Sequence, residues 1–159
     1  MIDLLASIEG SALAVWTRES TSIWAYPTLL TLHTFGLAIV VGANAVIDFR
    51  LLGVASRIPV PALRPLFPIM WWAFALNFVT GVVLFTADAT TKAGQLVFAI
   101  KLAMIALAFL VTKSVAKILA RDAGTLDTVI PANLRVRAVL SLVLWTAAII
   151  AGRLLAYQQ

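Results

Sequence analysis

The sequence predicts an all-α integral membrane protein: an antiparallel four-helix bundle with an N-terminal interfacial helix. Three observations lead there. Hydrophobic residues make up 62% of the 159 and charged residues 12%; a soluble globular chain sits near half and a quarter. Four apolar runs each reach the ~20 residues that cross ~30 Å of hydrocarbon. The runs are continuous, as lipid-embedded helices are, and do not alternate like the ~10-residue strands of a membrane barrel.

The elements follow in chain order. Within residues 2–20, Leu4, Leu5, Ile8, Ala12, Val15 and Trp16 recur at helical spacing beside Asp3, Glu9, Arg18 and Glu19. That pattern reads as a helix lying on the membrane surface, or equally as one capping the bundle from the aqueous side. The first span covers residues 24–52, with no acidic or basic side chain between Ile23 and Ile47. The second covers 68–87, the third 95–115 and the fourth 136–157. No linker divides them, so residues 1–159 read as one transmembrane domain. The opening Met1-Ile2-Asp3, with Glu9 soon after, lacks the basic start of a secretory signal peptide, and none is expected.

Charge sets the orientation. Arg50, Arg57 and Arg64 follow the first span, and Lys113, Lys117, Arg121, Arg135 and Arg137 surround the connection after the third. Basic residues in short loops mark the cytoplasmic side. Both termini then face outward, toward the periplasm, in a multi-pass protein of the bacterial inner (cytoplasmic) membrane. Trp24, Tyr26 and Tyr157 would mark the outer interface, and Trp71 and Trp72 lie toward the inner one. The net charge of +5 belongs to these loops, and the five Trp lie in or beside apolar runs, so no nucleic-acid partner is expected. Cys is absent, which excludes disulfides, thiolate metal sites and cysteine nucleophiles.

Polar groups inside a span are costly and therefore informative. Seven stand out: His33, Asn44, Asp48, Arg50, Asn77, Lys101 and Arg153. Asp48 and Arg50, near the end of the first span, read as anchoring charges that snorkel or pair. At 1.5 Å rise per residue, His33 lies ~13 Å, Lys101 ~9 Å and Asn77 ~15 Å from the outer ends of their helices. With Arg153 they give every span one polar group in the outer half. His33, Gly36, Val40 and Asn44 share one helical stripe. Gly36 removes a side chain there, for close helix contact or for the flat face of a cofactor.

His33 is the only histidine. A neutral imidazole suits iron or copper; the alternatives are a hydrogen-bonded packing group and a proton carrier. One His supplies one axial haem ligand. Lys101 would be the sixth ligand or a propionate partner, or it snorkels. Arg153 suits a propionate, because its fork matches a carboxylate. Paired His, HExxH and phosphate-loop motifs are absent.

These residues carry a resemblance. Leu32-His33-Thr34-Phe35-Gly36, then Val40-Val41-Gly42 and Arg50-Leu51, resemble the first core helix of HemJ-type protoporphyrinogen oxidases. Lys101-Leu102 resembles that family's Lys-Leu pair. CopD-type copper-resistance proteins also place a His before glycines in a helix, and a group of uncharacterised bacterial four-helix proteins shares the layout. The resemblance covers the first three spans. It implies haem b held by His33, with a functionally required Lys101. Val40 stands where HemJ proteins carry Trp, and Asn77 has no counterpart.

The resulting expectation is a membrane-bound b-type haem protein with an oxidoreductase role: electron transfer, or HemJ-like porphyrinogen oxidation. His33 and Lys101 would be the metal residues, and Arg153, Gly36, Asn77 and Asn44 the other cofactor contacts. Its partners would be the lipid bilayer, a quinone or redox protein, and further copies in a homo-oligomer. The rivals are a copper or small-solute transporter, for which Met1, Met70 and Met104 are few soft ligands, and a cofactor-free structural subunit.

Overall fold

The computed structural model describes residues 2–122, 126 and 129–157. Among these the chain is all helical, with seven α-helices: α1 (Ile2–Glu9), α2 (Ala12–Glu19), α3 (Tyr26–Leu51), α4 (Leu66–Thr86), α5 (Ala89–Ala93), α6 (Leu96–Asp122) and α7 (Ala132–Leu154). Short 3-10 turns occupy Val60–Leu63 and Leu155–Tyr157. Four of the helices, α3, α4, α6 and α7, are long and apolar enough to cross a membrane. Large apolar side chains on them stay uncovered by protein, Trp72 (80% exposed) and Phe78 (62%) among them. In water such surface would be a liability; in hydrocarbon it is the ordinary exterior.

The boundaries differ from the sequence expectation for physical reasons. The expected single helix over 2–20 is two, broken at Gly10 and Ser11. Ser11 accepts from the Ala14 N–H at 3.3 Å and so caps α2. Span three runs seven residues past Val115, to Asp122. Lys113, Lys117 and Arg121 fall every fourth position, so the basic residues continue one helix rather than ending it. The fourth span begins at Ala132 rather than 136, behind Pro131. The second begins at Leu66, with Pro68 in the first turn, where its missing N–H is harmless.

α3 stops because Gly53 adopts φ +94°, a left-handed conformation that side chains resist. The Val54 N–H then reaches the Phe49 carbonyl at 3.0 Å and the Gly53 N–H the Arg50 carbonyl at 3.1 Å. This paired closure of the last turn is a Schellman motif.

The contacts divide the chain into two compact units. The first holds Met1–Val40 and Trp71–Leu96, the second Val41–Met70 and Val97–Gln159. In the first, α1 packs on α5. Asp88 makes no side-chain cap for α5; instead Glu9 accepts from the Thr90 N–H at 2.9 Å and the Thr90 hydroxyl at 2.6 Å. Those two hydrogen bonds, side chain first, hold the Glu9 carboxyl below its ordinary value. Arg18 adds a donor to the Ala87 carbonyl at 3.3 Å and stands 3.7 Å from Glu9.

In the second unit, Arg64 takes the task that sequence reading gives to topology. Its guanidinium donates to the carbonyls of Leu119 (3.1 Å) and Ala120 (2.7 Å). These lie in the last turn of α6, where carbonyls have no partner within the helix and the dipole favours a cation.

Candidate functional site

The buried positions of α3 include Gly36, Val40, Asn44, Ile47, Asp48 and Leu51. They recur at three and four, one continuous stripe. The polar residues of that stripe and its neighbour His33 fall into two clusters, one in each compact unit.

In the first unit α3 meets α4 at Gly36. A Cβ there would stand 3.0 Å from the Ala73 carbonyl oxygen and 3.1 Å from the Asn77 backbone nitrogen, so only glycine allows the backbones this close. One turn away, His33 and Asn77 bond reciprocally. The Asn77 side-chain amide donates to the His33 carbonyl at 2.7 Å. The His33 Nδ1–H donates to the Asn77 carbonyl at 2.9 Å, with the Thr80 oxygen at 3.1 Å. A carbonyl only accepts, so Nδ1 carries the proton in this pairing. Thr80 sends its own hydroxyl to the Leu76 carbonyl at 2.7 Å. Gly81 leaves room for the ring: a Cβ there would lie 3.0 Å from His33 Cε1.

In the second unit Asn44 is the hub. Its amide donates to Thr112 of α6 and to Ser141 of α7, each at 3.1 Å, and its carbonyl accepts from Thr112 at 3.2 Å. The Trp145 N–H points at the Thr112 oxygen from 3.5 Å. With its oxygen accepting from Asn44, the Ser141 hydroxyl donates to Asp48. Asn44, Asp48, Thr112 and Ser141 are all 2% exposed or less. Among the described residues, one buried side-chain polar atom has no hydrogen-bond partner: Asp48 Oδ2.

The six expected cofactor contacts belong partly to one unit and partly to the other. His33, Gly36 and Asn77 come together in the first unit. Asn44 sits in the buried network of the second. Lys101, also in the second, runs along α7 with its ammonium against Gly152, where a Cβ would lie 3.6 Å from Nζ. Arg153 stacks over the Tyr157 ring at 5.8 Å. Asp48 and Arg50, expected to snorkel or pair, are buried, and Arg50 Nε donates to the Ile58 carbonyl.

Haem b, and with it the iron-binding and oxidoreductase reading, is corrected here. Among the described residues no group of three or more His, Cys, Asp or Glu is placed to hold a metal ion, and Cys is absent from the sequence. The physical reason lies in the helix contacts. The His33 ring is pressed between α3 and α4 against Gly81, engaged with Asn77 and Thr80. A macrocycle between α3 and α4 would have to part helices that touch through Gly36. A groove along α7 is lined by Arg135, Val136, Val139, Leu140 and Val143, none of which ligates iron in proteins.

Sequence reading missed Thr112, Ser141 and Trp145 and took Asp48 for an anchor. A signal existed: Asn44/Asp48 on α3 and Ser141/Trp145 on α7 are polar or polar-tipped pairs four apart, each on one helix face.

Fold and side chains together define the class: an all-α protein with four helices fit to cross a membrane and polar groups buried between them. No family model matches the chain, and no curated protein or solved structure matches it.

Proposed function

We propose that the chain is a cofactor-free structural subunit of a membrane assembly. The reading takes it as an antiparallel four-helix bundle in the bacterial inner membrane, both termini outside, with α1 and α2 at the interface. The assembly is a homo-oligomer in which lipid-facing helix surfaces meet further copies. Orientation rests on the basic residues around the connections after α3 and α6. Kinship with HemJ-type, CopD-type or the uncharacterised four-helix proteins enters only as a shared layout of spans.

One observation carries the proposal. His33, the group best suited to chemistry, is bound to Asn77 in both directions across a contact that only glycine permits. Helix association in lipid relies on such small-residue contacts and interhelical hydrogen bonds, since burial of apolar surface drives little there. The side chains act as fasteners.

His33→Ala and His33→Asn test this in purified protein. Asn keeps an N–H donor of similar reach. The proposal expects lower thermal stability for the Ala variant and recovery of much of it by Asn, with no change in visible absorption. A Soret band present in the wild type and lost in both variants would contradict it. The assembly claim is checked by the mass of the detergent-solubilised protein after brief crosslinking in the membrane: products above one chain are expected, and a single-chain product overturns it. One feature favours the small-solute carrier as a second reading, the orphan oxygen of Asp48, since an ionisable group within a span commonly marks a path for ions or protons.

A further inference from the structure

Asp48 lies three residues before the end of α3, about 4.5 Å of helix rise from Leu51. It is 1% exposed. One carboxyl oxygen accepts from Ser141, and Oδ2 meets no donor. Removing a polar atom from water without a replacement partner costs roughly 1–3 kcal/mol in proteins. A chain under no other demand would place Asn here, or an aliphatic residue.

The surrounding network narrows what could complete Oδ2. The Ser141 oxygen accepts from Asn44, the Asn44 carbonyl from Thr112, and the Thr112 oxygen from Asn44. Each neighbouring oxygen is already engaged. Sodium, calcium and similar cations gather several oxygens at once, and in this cluster Asp48 Oδ2 is the buried oxygen without a hydrogen-bond partner. A proton needs one oxygen.

The charged groups on the helices of the network lie elsewhere. On α6, Lys113, Lys117 and Arg121 are exposed, and Lys101 runs beside Gly152. On α7, Arg135 and Arg153 are exposed and Arg137 is half-buried. On α3, Arg50 is turned to the Ile58 carbonyl. No ion pair joins Asp48 to any described basic residue, and no second carboxyl is found among the described residues of these faces.

We propose that Asp48 is an intramembrane proton-binding site, with Oδ2 as the atom that takes up and releases the proton. The exchange is with water on the side of the α3–α4 connection. A hydronium ion gives its proton to the carboxylate and leaves water; no electron moves. The hydrogen-bond order aims a donor at one carboxyl oxygen and none at the other: Asn44 donates to Ser141, and Ser141 to Asp48. On protonation Oδ2 becomes a donor that must find an acceptor, so the fit of α3 against α7 changes with occupancy. Ser141 is a positioning residue in this scheme.

The test is infrared difference spectroscopy of the protein in lipid vesicles, acidic minus alkaline. The protonated-carboxyl C=O region of the wild type should contain a high-frequency component, that of a buried carboxyl with few partners, which Asp48→Asn lacks while keeping the bands of the exposed carboxyls. Identical difference spectra for the two proteins would overturn the proposal. If Asp48→Asn fails to accumulate in the membrane, Ser141→Ala decides. The midpoint of the wild-type band must then move along the pH axis, and an unmoved midpoint overturns the proposal. Lysine or arginine changes on the exposed face of α6 should leave the midpoint in place. A structural role for Ser141 alone would change stability and leave the midpoint where it was.

Discussion

The two clusters use similar residues to different ends. In the first unit, each atom that binds His33 to Asn77 is matched, and glycines at 36 and 81 set the spacing. In the second unit, Asn44, Thr112 and Ser141 close on each other but lead to a carboxyl with one oxygen unmet. A closed set of hydrogen bonds can fix helices and do little else. An open one keeps a position at which something can bind. Chemical suitability of a side chain is thus a poorer guide than its unsatisfied valence: the imidazole Nδ1 is engaged with Asn77 and Thr80, and the overlooked carboxyl keeps Oδ2 unmet.

The largest effect should come from the hub. Asn44→Ala removes three hydrogen bonds and strands Thr112 and Ser141 in a dry interior. Interhelical hydrogen bonds in lipid average ~0.6 and reach ~1.7 kcal/mol, and stranded polar groups add to that. We expect a loss of about 2–4 kcal/mol, read from reversible unfolding in bicelles. A loss under about 0.5 kcal/mol would put the network on the periphery of the fold.

Next comes the glycine contact. Gly36→Ala forces a methyl to 3.0 Å from backbone oxygen, and overpacking of this kind costs typically ~1–3 kcal/mol. Unchanged stability would mean that α3 and α4 do not approach there.

A smaller, pH-dependent effect belongs to Glu9. Its carboxyl is lowered below its ordinary value by the two Thr90 hydrogen bonds. A depressed native value stabilises above the unfolded carboxylate range, and that support is lost as pH falls through the native value. Hydrogen exchange of α1 and α5 should therefore quicken on acidification in the wild type and show a flatter profile in Glu9→Gln. Parallel profiles would remove Glu9 from the docking of α1.

The smallest change should have the opposite sign. Gly42 lies within α3 with nothing inside 4 Å of a Cβ. Gly42→Ala should be neutral or stabilise by up to ~1 kcal/mol through helix propensity. A marked loss would reveal a contact at that face.

Much of the architecture could be read from the sequence, because length and hydropathy alone select spans of ~20 residues. The ends were harder. The long basic side chains of Lys113, Lys117 and Arg121 look like a loop, yet they continue α6. The buried polar cluster was harder still, for two reasons. A helix that is apolar all round carries no stripe to say which side meets its neighbours, so the burial of Asp48 left no trace in hydropathy. Hydroxyls in spans are also ambiguous. Thr31 and Thr34 each return their proton to the carbonyl four residues back, and nothing in the sequence separates them from Thr112, which reaches another helix. His33, Gly36 and Asn77 were visible as special, but spacing does not distinguish a fastener from a ligand.

Two hydrogen bonds join His33 to Asn77, each from a side chain to the main-chain carbonyl of the other residue. Unfolding free energies in a bilayer of the wild type, His33→Ala, Asn77→Ala and the double variant measure them. Each truncation deletes one bond and leaves the other's acceptor in place, so each single variant should lose ~0.6 to ~1.7 kcal/mol, the range of interhelical hydrogen bonds in membranes, and the double variant the sum of the two losses. Single variants as stable as the wild type would contradict the reading of His33 as a fastener.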